Sequence, residues 1–465
     1  MLFNSYTFAL FFVLVWAAYW ALARTSRMRV WLLLAASYWF YGNWDKRFLL
    51  LIAGSTVLDY FVGRAMHATE DERRRRGLLT LSLCGNLGAL AFFKYWGFFI
   101  EETARALGAL GLEPNLPTLN VILPVGISFY TFQTLSYTID IYRRELAPER
   151  DFARFALFVA FFPQLVAGPI VRARDFLPQI GRPPQLGPRA FHSGLTLIFW
   201  GLLKKVCLAD FLGRNLVDPV WADPSAHGGW LSLLAIWGYA LQIYGDFSGY
   251  SDCAIGVARL LGFELCQNFD APYRAISPRD FWRRWHISLS TWLRDYLYIA
   301  LGGNRGGAWR TQRNLMLTML LGGLWHGASW MFVLWGAYHG LLLALDRRLN
   351  LPAPRGALDT WVRRIVTFHL VCLGWVFFRS KTPADAWAVL GSLFQPVATS
   401  DWSSLVLFAL ALGLLVHLLT SAWKERLRQF FLDLHPYWRG VAFALLLGLL
   451  LNTQYLEQPF LYFQF

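Results

Sequence analysis

His286 and His326 are the two residues of this chain whose type and setting best suit chemistry. An imidazole can take or give a proton near neutral pH. Both sit in stretches that are otherwise compatible with lipid, where an ionisable side chain is costly and marks a functional site by default. His286 lies in SPRDFWRRWHISLSTWLRDYLYIALGGNR, which begins at Ser277, and His326 in LLGGLWHGASWMFVLWGAYHG, which ends at Gly340. Glycines flank His326, and Trp325, Trp330 and Trp335 surround it in sequence. The competing reading for each is a hydrogen-bonded structural histidine. Two histidines do not make a metal site; His339 follows thirteen residues after His326, but no close carboxylate completes a ligand set, so no metal is expected. The absence of a GxSxG elbow disfavours a serine-triad hydrolase. A second polar group is YGDFSGYSD, with Asp246 and Asp252 in an apolar setting. Acids six residues apart do not share a helix face, so they either line a cavity or serve as caps and structural pairs.

The elements that must position these residues are helical. Ser277, Pro278 and Asp280 form a helix start, with an N-cap serine, a first-turn proline and an acid at the third position. Beyond it, Phe281, Trp285, Leu289, Trp292 and Tyr296 follow the spacing of one apolar face, predicting a continuous amphipathic helix. Arg279, Arg283 and Arg284 near its start suit an interface, meeting lipid headgroups or an anionic ligand. Arg294 and Asp295 are expected to hold that helix in place. The apolar region over 314–346 is too long for one straight crossing at 1.5 Å per residue. Gly322, Gly323 and Gly327 offer breaks, which puts His326 beside a helix break where backbone can line a cavity.

The whole chain has the same character. Of 465 residues, 56% are hydrophobic and only 15% charged, well below the quarter of a soluble domain. Apolar runs recur from end to end and lack the alternation of a membrane β-barrel, so the class is all-α, polytopic and integral to a membrane. Roughly eleven helices in one integral domain spanning 1–465 are expected, with no internal repeat. The net charge of +14 gathers in short loops and helix ends, which fits cytoplasmic loops and anionic lipid rather than nucleic acid. Runs at about 5–22, 30–42, 48–65, 77–99 and 119–142 are joined by links that alternate between basic and weakly basic or acidic. That pattern predicts an external N-terminus, retained as a first helix, with cytoplasmic loops near 24–29, 66–76 and 143–154. After residue 155 the alternation fails. FALFVAFFPQLVAGPIVRARDF is broken by Pro163, Gly168 and Pro169 and has arginines at both ends, which reads as a re-entrant or obliquely buried segment beside a cavity. Lys204 and Lys205 interrupt the next apolar run, and Cys84, Cys207, Cys253, Cys266 and Cys372 are scattered without metal spacing.

At these residues the chain resembles the membrane-bound O-acyltransferase (MBOAT) family, and is most similar to its bacterial alginate O-acetylation branch. The likeness includes ASYWFYGNW from Ala36, FFKYWGFF from Phe92, LPVGISFYTFQTLSYTIDIYR from Leu123 and FFPQLVAGPIVR from Phe161. It continues through YGDFSGYSDCAIG from Tyr244, NFDAPYRAISPRDFWRRWHISLS from Asn268, the LWHG segment and the closing FLYFQF. The resemblance implies an MBOAT-type ring of helices, re-entrant or broken, around a central cytoplasmic funnel. It implies that His326, in the WHG motif, is the catalytic residue and His286 the second family histidine. Trp325, Trp285, Asp295, Arg294, Asp246, Asp252 and Asn268 are the candidate cavity-lining residues. The chemistry implied takes an acetyl group from a cytoplasmic thioester such as acetyl-CoA, with no tightly bound cofactor. It relays the group across the bacterial inner membrane to an extracytoplasmic acetyltransferase partner that O-acetylates a polysaccharide such as alginate or cellulose. A neutral imidazole can take the proton of a poorly nucleophilic hydroxyl, and burial keeps an imidazole neutral. The alternatives are D-alanyl transfer or acylation of a lipid or small hydroxyl compound. A different class is a transporter or acyl-group channel, since broken helices and midplane polar residues also mark substrate pathways.

Overall fold

The computed structural model describes residues 1–22, 25–112, 121–166, 168–396, 403–419, 421–453 and 460–461. Arg24, the 113–120 part of the acidic-leaning loop, Ala167 and the last four residues of FLYFQF lie outside the described residues. Among the described residues the chain is all-helical, with no strand. Apolar side chains such as Leu10, Leu14, Leu50, Phe61, Leu81, Leu358, Val362, Ile365 and Leu415 stand exposed on helix faces, as expected where lipid is the solvent. Lys46–His67, Glu72–Ala109 and Ala357–Arg379 are long and apolar enough to cross a membrane, and Tyr6–Ala21 and Ser404–Leu418 are shorter apolar helices. Residue contacts divide the chain into two compact units, 1–187 with 258–265, and 188–257 with 266–465.

In the first unit, side chains start the helices. Ser5 Oγ accepts from the Phe8 amide at 3.2 Å, and Asp71 from the Arg73 amide at 2.9 Å. Asp151 accepts from the Ala153 amide at 2.8 Å and so begins Phe152–Ala160. The loop expected near 66–76 is mostly helix: Glu72–Ala109 absorbs its arginines, and at 38 residues it runs about 57 Å. Arg75 is buried and donates to the carbonyls of Met66 (2.7 Å), Ile141 (3.1 Å) and Tyr142 (2.9 Å). It thereby satisfies the ends of two neighbouring helices. Asp59, Ser82, Asn86 and Thr134 form a buried polar seam between three helices, with Ser82 Oγ 2.5 Å and Asn86 Nδ2 2.8 Å from the Asp59 carboxylate. The segment after residue 155 is broken as its prolines require. Phe152–Ala160 ends at Phe161, a short helix Phe162–Leu165 follows, and Phe155 and 157–162 are completely buried. Gly126 has φ +78°, and its lack of a side chain lets the Leu165 carbonyl approach, since a Cβ would stand 2.5 Å from that oxygen.

The second unit carries the histidines. The run interrupted by the two lysines is α-helical over Pro188–Leu203 and widens to a π-helix over Lys204–Asp210. The 314–346 region is a helical hairpin, Ala308–His326 and Trp330–Leu349, with the break at Gly327 and a new N-cap at Ser329. Gly322 and Gly323 do not break the helix. Gly323 meets the Phe332 carbonyl and Gly336 the Met319 carbonyl, so these glycines let the two arms of the hairpin touch backbone to backbone. The single amphipathic helix expected over 281–296 is not formed. Pro278–Arg284 stops before Trp285–His286, Ile287–Trp292 follows, and 293–298 is π-helical.

Candidate functional site

His286 occupies the corner between those short helices. Its backbone has φ 43° and ψ 57°, the left-handed region that a non-glycine residue adopts rarely. Such a conformation costs about 1–3 kcal/mol and persists only where surrounding bonds impose it. Asn268 imposes it. The Asn268 carbonyl accepts from the Ile287 amide at 2.9 Å, and its Oδ1 accepts from the Ser288 amide at 3.2 Å and the Ser288 hydroxyl at 2.9 Å. The same Oδ1 lies 3.1 Å from His286 Nδ1. A backbone amide can only donate, so this atom of Asn268 is the amide oxygen and His286 Nδ1 must carry the hydrogen. In the neutral ring the lone pair is then on Nε2. Asn268 Nδ2 reaches Ser251 Oγ at 3.4 Å, and Phe247 closes edge to face on the His286 ring at 4.6 Å.

His326 is the last residue of its helix, where Gly327 turns the chain into extended backbone. It is buried, and its ring lies among Trp325 (5.0 Å), Trp335 (5.1 Å) and Phe378 (5.2 Å), all near perpendicular, with Phe332 at 6.4 Å. The two histidines come from different segments but share one neighbour. Trp325, 5.0 Å from His326, also lies 6.0 Å from His286, so a single indole stands against both imidazoles. A buried neutral imidazole beside an aromatic wall can take a proton from a hydroxyl that reaches it.

The other candidates divide. Asn268 and Trp325 belong to this constellation. Trp285 packs 4.8 Å from Trp375, 5.1 Å from Phe269 and 5.6 Å from Phe281, and Trp375 and Phe269 in turn meet the rings around His326 and His286, so Trp285 stands one ring behind the site. Arg294 and Asp295 pair with each other at 2.6 Å, with the arginine largely exposed. Asp246 and Asp252 are paired acids: Lys205 bridges Asp246 (2.6 Å) and Asp210 (2.8 Å), and Lys204 meets Asp252 (2.6 Å). The YGDFSGYSD stretch reaches His286 through Phe247 and Ser251, the residues between its acids. Nothing in their type could have singled them out. His339 is also drawn in, 4.9 Å from Trp335 and 5.3 Å from Trp282, and Gly374 makes room for it. Among the described residues no three His, Cys, Asp or Glu side chains gather as a metal site.

Residues 119–369 match the model of the membrane-bound O-acyltransferase family, a span that includes both histidines. The chain is 44% identical over 398 residues to a probable alginate O-acetylase AlgI of Pseudomonas aeruginosa, covering 85% of this chain and 75% of that protein. It is 40% identical over 497 residues to the Pseudomonas putida protein of the same name, covering all of both chains. It is 38% identical over 399 residues to a peptidoglycan O-acetyltransferase of Helicobacter pylori, covering 78% and 73%.

Proposed function

Because the chain belongs to the membrane-bound O-acyltransferase family, we propose that this acyltransferase takes acetyl from a cytoplasmic thioester and delivers it at His326 and His286 for O-acetylation of an extracytoplasmic polysaccharide. The observation that carries the reading is the shared indole: two buried imidazoles, one from a helix end and one from a corner between helices, stand against Trp325. The relatives named for alginate and peptidoglycan acetylation support a polysaccharide as the final acceptor.

In this reading a hydroxyl that carries the acetyl group onward to the extracytoplasmic partner attacks the thioester carbonyl while His326 takes its proton. The new C–O bond forms, the C–S bond breaks, and the thiolate leaves with a proton returned from the imidazolium. General-base assistance of this kind contributes about 10²–10⁴-fold. His286 is held with Nδ1–H toward Asn268, so its Nε2 is the atom that can orient the acceptor or accept a hydrogen bond from it. Trp325 and the other aromatic rings keep water from the thioester. The polymer itself is acetylated by an extracytoplasmic acetyltransferase partner, and the enzyme resides in the bacterial inner membrane.

The test is polymer acetylation in cells carrying His326→Ala, with membrane abundance checked by immunoblot. Acetyl content should fall to the level of a deletion strain. Wild-type acetylation in a well-expressed variant rejects the assignment.

A further inference from the structure

The first unit contains a second polar feature, remote in sequence from both histidines. A cavity of about 420 Å³ is lined by the polar Arg29, Arg182 and Tyr19 and by the apolar Leu33, Leu157 and Phe263. Arg29 is only 6% exposed. Its Nε donates to the Thr25 carbonyl at 3.2 Å and the Tyr19 phenol stands beside it, but among the described residues no carboxylate pairs with it. The same holds for Arg182, which is exposed at the rim. Acids of the neighbourhood are already taken: Glu264 by Arg259 at 2.7 Å, and Asp175 beside Arg174 at 3.8 Å. Burying a guanidinium without a counter-ion is strongly unfavourable, so a buried charge in a native fold is normally paired.

We propose that this cavity binds the phosphate of an anionic phospholipid, held between Arg29 and Arg182, with the start of an acyl chain along Leu33, Leu157 and Phe263. Planar guanidinium forks suit phosphate oxygens, and the cavity has the volume of a small-ligand site. Its arginines lie at the start of the Ser26–Gly42 helix and just past Ala173–Ile180, where basic residues accumulate, the pattern of a cytoplasmic face meeting the anionic leaflet. A lipid fits better than a free anion because Leu33, Leu157 and Phe263 line the cavity together with the arginines.

The experiment uses the full chain in neutral detergent. Thermal unfolding is followed during titration with short-chain phosphatidylglycerol, short-chain phosphatidylcholine, or sodium phosphate at matched ionic strength. Four proteins are compared: wild type, Arg182→Gln, Arg29→Gln/Arg182→Gln, and Arg73→Gln/Arg74→Gln, which removes two exposed charges elsewhere. Phosphatidylglycerol should stabilise wild type and the Arg73/Arg74 control alike, and more than phosphatidylcholine does. Arg182→Gln, at an exposed position that leaves the fold intact, should weaken that binding by about tenfold. If sodium phosphate alone reproduces the shift with the same arginine dependence, the site stands as a phosphate site but its lipid occupant is refuted. Equal shifts in wild type and Arg182→Gln, or no phosphatidylglycerol shift in wild type, overturn the proposal.

Discussion

Asn268→Ala tests whether His286 works only when it is held. Asn268 is buried, and one oxygen of its side chain collects His286 Nδ1, the Ser288 amide and the Ser288 hydroxyl, at 3.1, 3.2 and 2.9 Å. Alanine leaves these three donors facing a gap. Each buried donor without an acceptor costs about 1–3 kcal/mol, so the local structure relaxes by turning the imidazole or shifting the left-handed corner. Losing the one bond that fixes the His286 tautomer, at about 1–3 kcal/mol, corresponds to roughly ten- to hundredfold in the transfer rate. The assay is acetyl transfer from labelled acetyl-CoA by protein purified in detergent, with kcat and KM determined separately. Ser288→Ala removes one donor and keeps the His286–Asn268 bond, so its rate should stay within a few-fold of wild type. Asn268→Asp keeps an acceptor for all three donors and should retain more activity than alanine. A folded Asn268→Ala protein with the wild-type rate refutes the argument that this bond positions a working histidine.

Trp325 should respond to shape: Trp325→Phe retains an aromatic wall between the imidazoles, whereas Trp325→Ala lowers kcat/KM by about tenfold or more by admitting water. Gly336→Ala drives a methyl into the Met319 carbonyl of the opposing arm, and should destabilise the hairpin by about 1–3 kcal/mol, read as a lowered unfolding temperature in detergent. Lys205→Met strands Asp246 and Asp210 without their shared cation and should cost about 3–5 kcal/mol. Much of that loss should return in Lys205→Met/Asp210→Leu/Asp246→Asn, which removes the charges together and keeps an acceptor for the Leu461 amide.

Much of this was legible in the sequence because lipid imposes simple rules. Long apolar runs must be helices, prolines and glycines must break them, and isolated ionisable residues stand out; hence the Gly327 break beside His326 falls where the pattern puts it, while the break before Pro163 falls two residues earlier, at Phe161. What the pattern missed depends on tertiary pairing. The spacing from Phe281 to Tyr296 is that of one helix, yet Asn268 captures Ile287 and Ser288 and forces His286 into a left-handed turn. Spacing leaves Asp246 and Asp252 open between cavity lining and structural pairing, and Lys204 and Lys205, some forty residues earlier, are what pair them. Periodicity reports faces of one helix and is silent on partners that distant parts of the chain supply.

The most direct measurement of the central claim is single-turnover acetyl transfer by purified wild type, His326→Ala and His286→Ala, each shown by its unfolding temperature to be folded. Wild type should release CoA from acetyl-CoA in step with acceptor acetylation. His326→Ala should lose about 10²–10⁴-fold in that step, with donor binding unchanged. His286→Ala should lose less. A folded His326→Ala enzyme that turns over at the wild-type rate contradicts the account.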